Sequence, residues 1–366
     1  MIGRVFKVSS NSSPTFETGR ILLGSIVDGE NVIDQVTVGC EGPESFAIHC
    51  HGNPLIVEQI AGLLQRHGAM LVSAEEFLRQ TAASDGDAST IEIEARLAQL
   101  KARTVAGTKL IFNQTDSGLK KTAQGWLDSL DEMSLGEIKS DAARITQHSS
   151  VARLIIEGCT VVLIGPPNSG KSTLLNALAG REKAIVSHIA GTTRDWVEAQ
   201  CHIGPLEVTL IDTAGLDEVL ASASESAVDR DSQKRSSEVL ERANLVLLVL
   251  DSSRPIEQLA SRITSALEGK NVLTVLNKSD LRSVLDAAAL PDHLINQVTV
   301  SAKDNAGIDE LCRRIVRGTE TADFDLHRPV VFTHRQREIM SQLAVARSKA
   351  DAKALISKLL NDSATV

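Results

Sequence analysis

Residues 161–173 read VVLIGPPNSGKST, an apolar run followed by a glycine loop and a Lys-Ser-Thr that opens a helical pattern. The segment matches G-x-x-x-x-G-K-[ST], with Gly165, Gly170, Lys171 and Ser172 at the fixed positions. In such a loop the backbone N–H groups surround phosphate oxygens, and the dipole of the following helix adds to the attraction. Lys171 supplies a positive charge, and Ser172 supplies a hydroxyl for Mg²⁺. The segment therefore predicts a phosphate-binding loop between a buried strand and a helix.

The chain of 366 residues is long for one hydrophobic core, which predicts two or three domains. Its net charge of −9 argues against a protein that coats nucleic acid through its overall field, and we expect no DNA partner. The five cysteines lack Cys-x-x-Cys spacing, which indicates reduced thiols rather than a disulfide framework. Neither a signal peptide nor a membrane-spanning run is visible, so we expect a cytoplasmic protein without a membrane partner.

The hydrophobic periodicity changes along the chain and predicts three domains. Residues 1–80 mix strand-like runs at 19–27, 31–39 and 45–51 with a helical run that begins at Pro54. Strands that alternate with turns and are followed by a helix indicate a small α+β domain.

Apolar residues at three- and four-residue spacing dominate residues 81–157 and again 319–366, which predicts a helical domain in two pieces. Between them, residues 158–318 alternate β-branched runs with helical stretches, as in a doubly wound, mostly parallel sheet. The sequence thus predicts an α/β P-loop domain inserted in an α-helical domain, after the small N-terminal α+β domain. Two unrelated helical segments are the alternative to insertion.

Two segments after the glycine loop supply candidate ligands for Mg²⁺ and the γ-phosphate. GTTRD at 191–195 offers Thr193 as a second hydroxyl ligand for Mg²⁺ in a switch loop. LIDTAG at 210–215 ends a predicted strand with Asp212, which can hold Mg²⁺ through water, and with Gly215, whose N–H can sense the γ-phosphate. Both segments follow the order that a guanine-nucleotide domain requires.

Two later segments predict recognition of the guanine base. VLTVLNKSD ends a predicted strand with Asn277, Lys278 and Asp280. Asp280 can accept from N1–H and the 2-amino group of guanine, and a buried carboxylate left unpaired would reject adenine. VTVSAK places the Ala302 amide where it can donate to guanine O6. Each segment lies at the carboxyl end of a predicted strand, where open α/β sheets bind ligands. We therefore expect GTP, GDP and Mg²⁺ as ligands.

The segment PPNSGKSTLLNALAGREKAIVSHIAGTTRDWVEA, together with DTAGL and NKSD, resembles the Era/TrmE-type GTPases and, within them, the MnmE (TrmE) family of tRNA modification GTPases. Residues 42–69 and the EEF at 75–77 are similar to that family's N-terminal tetrahydrofolate-binding and dimerisation domain. The flanking helical segments match its inserted G domain. The resemblance implies GTP hydrolysis, a homodimer, 5-formyltetrahydrofolate as a ligand, and modification of the tRNA wobble uridine with a flavoprotein partner of the MnmG type.

Carried over onto this sequence, the family's potassium site falls on Asn168 in the glycine loop and on Ser187, Ile189 and Thr192 in the switch loop. A K⁺ ion there would neutralise charge between the β- and γ-phosphates, where other GTPases place an arginine finger. The alternative is that Asn168 only braces the loop.

The residue that positions the catalytic water departs from the pattern of other GTPases. Leu216 follows DTAG, where Ras-like proteins carry a glutamine, so the water must be positioned from elsewhere. The family's switch II glutamate aligns with Asp229, and Glu225 is a second candidate. Aspartate is shorter than glutamate by one C–C bond, roughly 1.5 Å. Because a catalytic water tolerates little displacement, the sequence predicts slow hydrolysis.

Lys171 and Asp229 are therefore the two catalytic assignments. The residues expected to contact the nucleotide and its cations are Asn168, Ser169, Gly170, Lys171, Ser172, Thr173, Ser187, Thr192, Thr193, Asp212, Thr213, Ala214, Gly215, Asn277, Lys278, Asp280, Ser301, Ala302 and Lys303.

The sequence departs from the family at several places. It ends in NDSATV, whereas the family ends in a Cys-x-Gly-Lys tail, and the family's first strand and glycine-rich start have no counterpart. SF runs directly into AIHCHG without the intervening GED. These departures weigh against folate binding and against the tRNA chemistry.

Two hypotheses for the function follow. The first is a K⁺- and Mg²⁺-dependent GTPase of the MnmE type, and the second is a nucleotide-controlled switch without the tRNA chemistry. A ribosome-assembly GTPase is weaker, since no KH-type GxxG segment and no second P-loop follow.

Overall fold

The computed structural model describes residues 2–9, 15–74, 76–77, 80, 89–180, 186–187, 197–212 and 238–361. The chain divides into two compact units, Met1–Thr81 and Ala82–Val366. Within the described ranges, no helix combines the length and the apolar character needed to cross a lipid bilayer.

The first unit is a four-stranded antiparallel sheet with a helix packed on one face. In spatial order its strands are β1 (Phe6–Val8), β2 (Ile21–Asp28), β3 (Asn31–Cys40) and β4 (Phe46–His49). Helix α1 (Ile2–Val5) precedes the sheet and α2 (Pro54–Arg66) follows it. Asn53 caps α2 by accepting a hydrogen bond from the Leu55 N–H, as the Asn-Pro start predicts. Helix α1 and strand β1 were not predicted from the sequence.

The second unit contains helices on both sides of an α/β sheet. Before the sheet, the chain forms α3 (Thr90–Gln99), α4 (Val105–Asn113), α5 (Leu119–Asp128) and α6 (Leu135–Glu157). The next elements are β5 (Cys159–Ile164), α7 (Lys171–Ala179), β6 (Val186–Ser187), β7 (Val197–Ile203), β8 (Leu206–Asp212), β9 (Leu245–Asp251), α8 (Ser261–Ala266), β10 (Val272–Asn277), β11 (Gln297–Thr299) and α9 (Ile308–Gly318). The chain then returns to helix in α10 (His334–Ala344) and α11 (Lys349–Asn361).

Helices α3, α4 and α6 of the second unit begin at side chains that cap them. Ser89 and Ser134 each form a capping box with the glutamate three residues later, which satisfies the first N–H groups of α3 and α6. The helical pattern predicted over residues 81–157 is interrupted between α3 and α4. Thr104 starts α4 by accepting from the Gly107 N–H, while its hydroxyl donates to the Ile155 carbonyl of α6.

The strands of the second unit form a sheet in the order β11-β10-β9-β5-β8-β7-β6. Strand β7 is antiparallel to both of its neighbours, and the other pairings are parallel. All seven residues of β9 are buried, as expected for a parallel strand with helices on both faces. The mostly parallel, doubly wound sheet is thus confirmed.

The helical domain and the α/β domain are packed together. Leu110 and Ile155 of the helices belong to the same cluster of buried side chains as Val161 and Leu174 of the α/β domain. The chain leaves the helical domain through a single residue, Gly158, which separates α6 from β5. The α/β domain is therefore inserted into a helical domain whose two parts lie on either side of it in the sequence.

Candidate nucleotide-binding site

Four neighbouring parallel strands of the larger sheet end at one edge, and polar groups stand at their carboxyl ends. Strand β5 leads into the glycine loop, and β8 ends at Asp212. Strands β9 and β10 end at Asp251 and Asn277, which are partners in the strand register. Because ligands of open α/β sheets bind outside the carboxyl ends of the strands, this edge is the candidate site.

The glycine loop at this edge depends on two glycines. Gly165 has a φ of 154°, and a Cβ atom there would lie 2.0 Å from the Val249 carbonyl oxygen of β9. Gly170 has a φ of 96°, and its Cβ would lie 2.3 Å from Nδ2 of Asn277. Any side chain at either position would push the loop away from the strands that support it.

Lys171 lies across the loop that precedes it. Its side chain is buried, and Nζ donates to the carbonyl oxygens of Gly165 at 2.8 Å and Pro166 at 3.1 Å. The next two residues of α7, Ser172 and Thr173, are exposed. The ammonium group and the helix N-terminus thus provide positive potential at one place, which suits a polyphosphate.

Ser172 and Asp212 bring two side-chain oxygen atoms together at the start of α7. Ser172 Oγ donates to Asp212 Oδ2 at 2.5 Å, which joins the helix to the end of β8. The Asp212 side chain is buried, and its Oδ1 has no hydrogen-bond partner among the described residues. A buried carboxylate oxygen without a donor, beside a serine hydroxyl, fits Mg²⁺, which binds through one or two carboxylates and substrate phosphates.

The base-recognition segment is tied to the glycine loop. Asn277 is buried, its Nδ2 donates to the Ser169 carbonyl at 2.9 Å, and its Oδ1 accepts from the Ala302 N–H at 3.0 Å. The Ala302 amide was predicted to donate to guanine O6, so here that N–H already has a partner. Binding O6 would require the amide to share or exchange this hydrogen bond.

Asp280 lies beside Ser301, as the two segments predict. Ser301 is buried, and its Oγ donates to Asp280 Oδ1 at 2.8 Å. Asp280 itself and Lys303 are exposed. The expectation of a buried carboxylate was therefore wrong, because the turn after β10 carries Asp280 out to the surface. Its second oxygen is turned to solvent or ligand rather than to the core.

Lys278 connects three parts of the site. Its Nζ donates to the Asn168 carbonyl at 2.6 Å and to Asp251 Oδ2 at 2.7 Å. Burial raises the pKa of Asp251, but hydrogen bonds from Lys278 and Ser253 outweigh burial and hold the pKa below its usual value. Sequence reasoning did not assign Asp251, although a charged residue that ends an apolar strand beside the NKSD strand was a usable signal.

Several predicted site residues cannot be placed. Ser187 is described only through its backbone pairing with Glu198. Those outside the described residues are Ile189, Thr192, Thr193, Thr213, Ala214, Gly215, Leu216, Glu225 and Asp229. Their roles with Mg²⁺, K⁺ and the catalytic water stay predictions.

Comparison with known proteins shows that the sequence around this edge is similar to that of GTPases. The profile of the 50S ribosome-binding GTPase family matches residues 160–278. The tRNA modification GTPase MnmE of Geobacter sulfurreducens is 34% identical over 344 residues, which cover 84% of this chain and 73% of that protein. The MnmE of Clostridioides difficile is 28% identical over 346 residues, or 85% and 74% of the two chains.

Among solved structures, the G domain of the T. maritima FeoB iron transporter matches with 31% identity and a TM-score of 0.36. It covers 44% of this chain and 98% of that chain.

Proposed function

We propose, since this chain belongs to the MnmE family of tRNA modification GTPases, that its hydrolysis of GTP to GDP and phosphate serves modification of the tRNA wobble uridine. The observation that carries this proposal is the extent of the similarity. The match to the Geobacter sulfurreducens relative covers 84% of the chain, whereas the GTPase profile covers only residues 160–278. The similarity therefore includes parts of the chain that GTP binding alone would not need.

Hydrolysis moves the γ-phosphoryl group to water, and the protein contributes mainly position and charge. In the proposed site, backbone N–H groups of the glycine loop hold the phosphates and Lys171 supplies charge beside them. Ser172 and Asp212, which are hydrogen-bonded to each other, would hold Mg²⁺ together with Thr193. When bound, Mg²⁺ neutralises charge that develops on the phosphate oxygens. Asp229, with Glu225 as the second candidate, orients the water.

Guanine is the proposed base because of the chemistry of Asp280. A carboxylate can accept from both N1–H and the 2-amino group of guanine, and adenine offers neither pattern. The hydrogen bond from Ser301 to Oδ1 orients the carboxylate from the side of β11. Asn277 and Lys278 donate hydrogen bonds to the glycine loop. The segment that binds the base and the loop that binds the phosphates are therefore joined directly.

Potassium is the proposed second cation. The Asn168 side chain is exposed, makes no hydrogen bond within the described residues, and stands on backbone with a φ of 64°. An amide oxygen presented in this way can serve as a cation ligand rather than as a brace for the loop. Ser187, Ile189 and Thr192 complete the proposed K⁺ site.

A homodimer is proposed on the basis of the first unit. On the face of its sheet that α2 does not cover, Ile21 is 74% exposed and Leu23 is 58% exposed. They stand opposite Gly39 and Thr37 in the β2–β3 register. Adjacent exposed apolar side chains mark interaction surfaces, and a second copy of this chain would cover them.

The remaining partners follow from family membership. tRNA is the proposed substrate, and a flavoprotein of the MnmG type is the proposed partner; 5-formyltetrahydrofolate is the weaker proposal. We also propose the domain boundaries 1–80, 158–318, and 81–157 with 319–366.

The second candidate is a nucleotide-controlled switch without tRNA chemistry. The sequence prediction in its favour is Asp229, which aligns with the family's longer glutamate, with Glu225 as the second candidate. A switch needs binding and slow turnover, both of which tolerate a displaced water.

Complementation tests the proposal. We expect the chain to restore wobble-uridine modification, measured by mass spectrometry of tRNA nucleosides, in cells that lack MnmE. Lys171→Ala should fail to restore it, whereas Lys121→Ala, an exposed lysine on α5, should match the wild type. If the wild-type chain turns over GTP in solution but restores no modification, the switch replaces the tRNA function.

A further inference from the structure

Asp251 lies outside every nucleotide segment predicted from the sequence, yet its carboxylate is one of the most tightly held groups at the site. The residue ends β9, and its side chain is 3% exposed. Oδ2 accepts from Lys278 Nζ at 2.7 Å, while Oδ1 accepts from the N–H and the hydroxyl of Ser253 at 2.9 and 2.6 Å. Arg254 Nε lies 3.5 Å from Oδ2, with its own side chain mostly in solvent.

Lys278 connects this carboxylate to the glycine loop. Its Nζ donates to the Asn168 carbonyl at 2.6 Å, in addition to Asp251. The preceding residue, Asn277, donates to the Ser169 carbonyl at 2.9 Å. Two successive carbonyl groups of the loop are therefore held from outside by two successive residues of the base-recognition segment.

The hydrogen bonds to these two carbonyl groups also fix the direction of the N–H groups that follow them in the loop. In a planar trans peptide, the carbonyl of one residue and the N–H of the next point in opposite directions. When the carbonyls of Asn168 and Ser169 point outward, the N–H groups of Ser169 and Gly170 point to the inside of the loop. The Ser169 N–H donates across the loop to the Pro166 carbonyl at 3.2 Å, so it must share or exchange this hydrogen bond when phosphate binds. Inward N–H groups are what binds phosphate.

The contact also joins two residues in a strained conformation. Asn168 and Lys278 both have a φ of 64°, in the left-handed region that side chains other than glycine seldom adopt. Such backbone persists only where the surroundings hold it in place. The hydrogen bond from Lys278 to the Asn168 carbonyl connects the two, and Asp251 fixes the lysine that makes it.

Charge explains why the carboxylate matters for Lys278. The ammonium of a lysine is a strongly hydrated charge on a flexible stem, which otherwise turns to solvent. Lys278 is 29% exposed and Asp251 only 3%, so the ammonium is drawn inward towards a fixed, buried negative charge. Hydrogen bonds from Lys278 and Ser253 overcome the effect of burial and keep the pKa of Asp251 low, so the carboxylate stays charged at neutral pH.

We propose that Asp251 is a positioning residue for the nucleotide, which acts through Lys278 to hold the glycine loop in its phosphate-binding shape. This role deepens the proposed function and rests on the same GTP site. Asp251 makes the base-recognition segment and the phosphate loop one rigid unit without itself touching the ligand.

The rate of GDP release from the full-length chain tests the role, with a fluorescent GDP analogue as the probe. Asp251→Asn should speed release by about tenfold or more, because loss of a buried charged partner acts mainly on dissociation. The preference for GDP over xanthosine diphosphate should not change, since Asp280 is untouched. Arg254→Ala removes an exposed cation beside the same carboxylate and should leave the rate within about twofold.

A double-mutant cycle separates positioning from a general loss of stability. If Asp251 acts through Lys278, the double variant Asp251→Asn with Lys278→Gln releases GDP no faster than Lys278→Gln alone. Additive acceleration would overturn the proposal, as would an unchanged rate in a folded Asp251→Asn variant. If Asp251→Asn does not fold, Ser253→Ala removes one donor to the same carboxylate and should give a smaller acceleration; no acceleration would overturn the proposal. A wild-type chain that binds no GDP would instead refute the nucleotide site itself.

Discussion

Two buried oxygen atoms close to the glycine loop have no hydrogen-bond partner among the described residues, Ser169 Oγ and Asp212 Oδ1. Their surroundings differ. Asp212 Oδ1 lies beside Ser172, where a divalent cation fits. Ser169 Oγ lies 3.3 Å from where a Cβ on Gly165 would lie. We therefore expect the first atom to bind a ligand and the second to lower the stability of the folded protein.

Ser169→Ala should stabilise the protein by about 1 kcal/mol, because a buried hydroxyl without a partner costs roughly 1–3 kcal/mol. GDP affinity should be unchanged, because the expected contact of Ser169 with the nucleotide is through its backbone N–H, and its backbone carbonyl accepts from Asn277; the substitution keeps both groups. The midpoint of urea unfolding measures the effect. A lower midpoint would mean that the hydroxyl has a stabilising partner.

Asn168 should make GTP turnover depend on potassium. GTP turnover should be faster in K⁺ than in Na⁺ at equal ionic strength, by about tenfold or more. In other GTPases, an arginine that places its charge here accelerates hydrolysis by a larger factor. Asn168→Ala should reduce the difference while GDP still binds. Steady-state phosphate release in the two salts is the measurement. Equal rates for the wild type would remove the potassium assignment.

At the scale of elements, the insertion of the α/β domain depends on polar side chains that hold the returning chain. Gln114, at the end of α4, is fully buried; Nε2 donates to the Arg328 carbonyl at 3.1 Å, and Oε1 accepts from the Val330 N–H at 3.0 Å. Oε1 also accepts from the Leu119 N–H at 3.0 Å, at the start of α5. One side chain thus joins two helices to the segment between α9 and α10.

Gln114→Leu should lower the stability of the second unit by about 3 kcal/mol, because each buried N–H left without a partner costs roughly 1–3 kcal/mol. Gln342→Leu is the matched control, since Gln342 is exposed on α10, and its effect should stay within about 0.5 kcal/mol. Urea unfolding followed by tryptophan fluorescence reports the change; one of the two tryptophans, Trp126, is buried in α5. Equal midpoints for the two variants would refute this role for Gln114.

A second polar cluster joins α3 to α10. Glu94 accepts from Nε and NH2 of Arg335, both at 2.8 Å, and from Nε2 of Gln336 at 2.7 Å. Paired hydrogen bonds between arginine and carboxylate have fixed geometry as well as charge. The two pieces of the helical domain, far apart in sequence, are thereby held together.

Elements that follow from local pattern could be predicted from the sequence. Strand β9 is an unbroken apolar run because both of its faces are covered, and α6 starts at a Ser-x-x-Glu capping box. The break between α3 and α4 could not be predicted, because the Thr104 hydroxyl that fixes it donates to Ile155, 51 residues away. Features set by contacts distant in sequence leave no local pattern.

The binding site also contains both features that follow from local sequence and features that depend on distant contacts. Its glycine loop and the Asn277–Asp280 turn were visible as motifs, because phosphate and guanine each demand fixed residue types at fixed spacing. The pair between Asp251 and Lys278, 27 residues apart, arises only because β9 and β10 are neighbours in the sheet. The outward position of Asp280 likewise depends on how the turn after β10 leaves the sheet.

At the scale of the whole molecule, GTP hydrolysis is housed in a domain that shares its hydrophobic core with the surrounding helices. Leu110 and Ile155 of the helices pack in one cluster with Leu163, the strand residue that precedes the glycine loop by two positions. The helices and the strand that leads into the glycine loop are therefore packed in one hydrophobic core. This arrangement suits a protein whose GTP cycle drives work elsewhere in the chain.

We expect the whole chain to turn over a guanine nucleotide at the edge where β5, β8, β9 and β10 end. The most direct test compares GTP with xanthosine triphosphate as substrates of the wild-type chain and of Asp280→Asn. We predict that the substitution lowers kcat/KM for GTP by roughly 10²-fold, because hydrogen bonds to a charged group contribute about 1.5–3 kcal/mol each. It should raise kcat/KM for xanthosine triphosphate, whose 2-oxo group accepts from the new amide. An unchanged preference for GTP in Asp280→Asn would contradict the account.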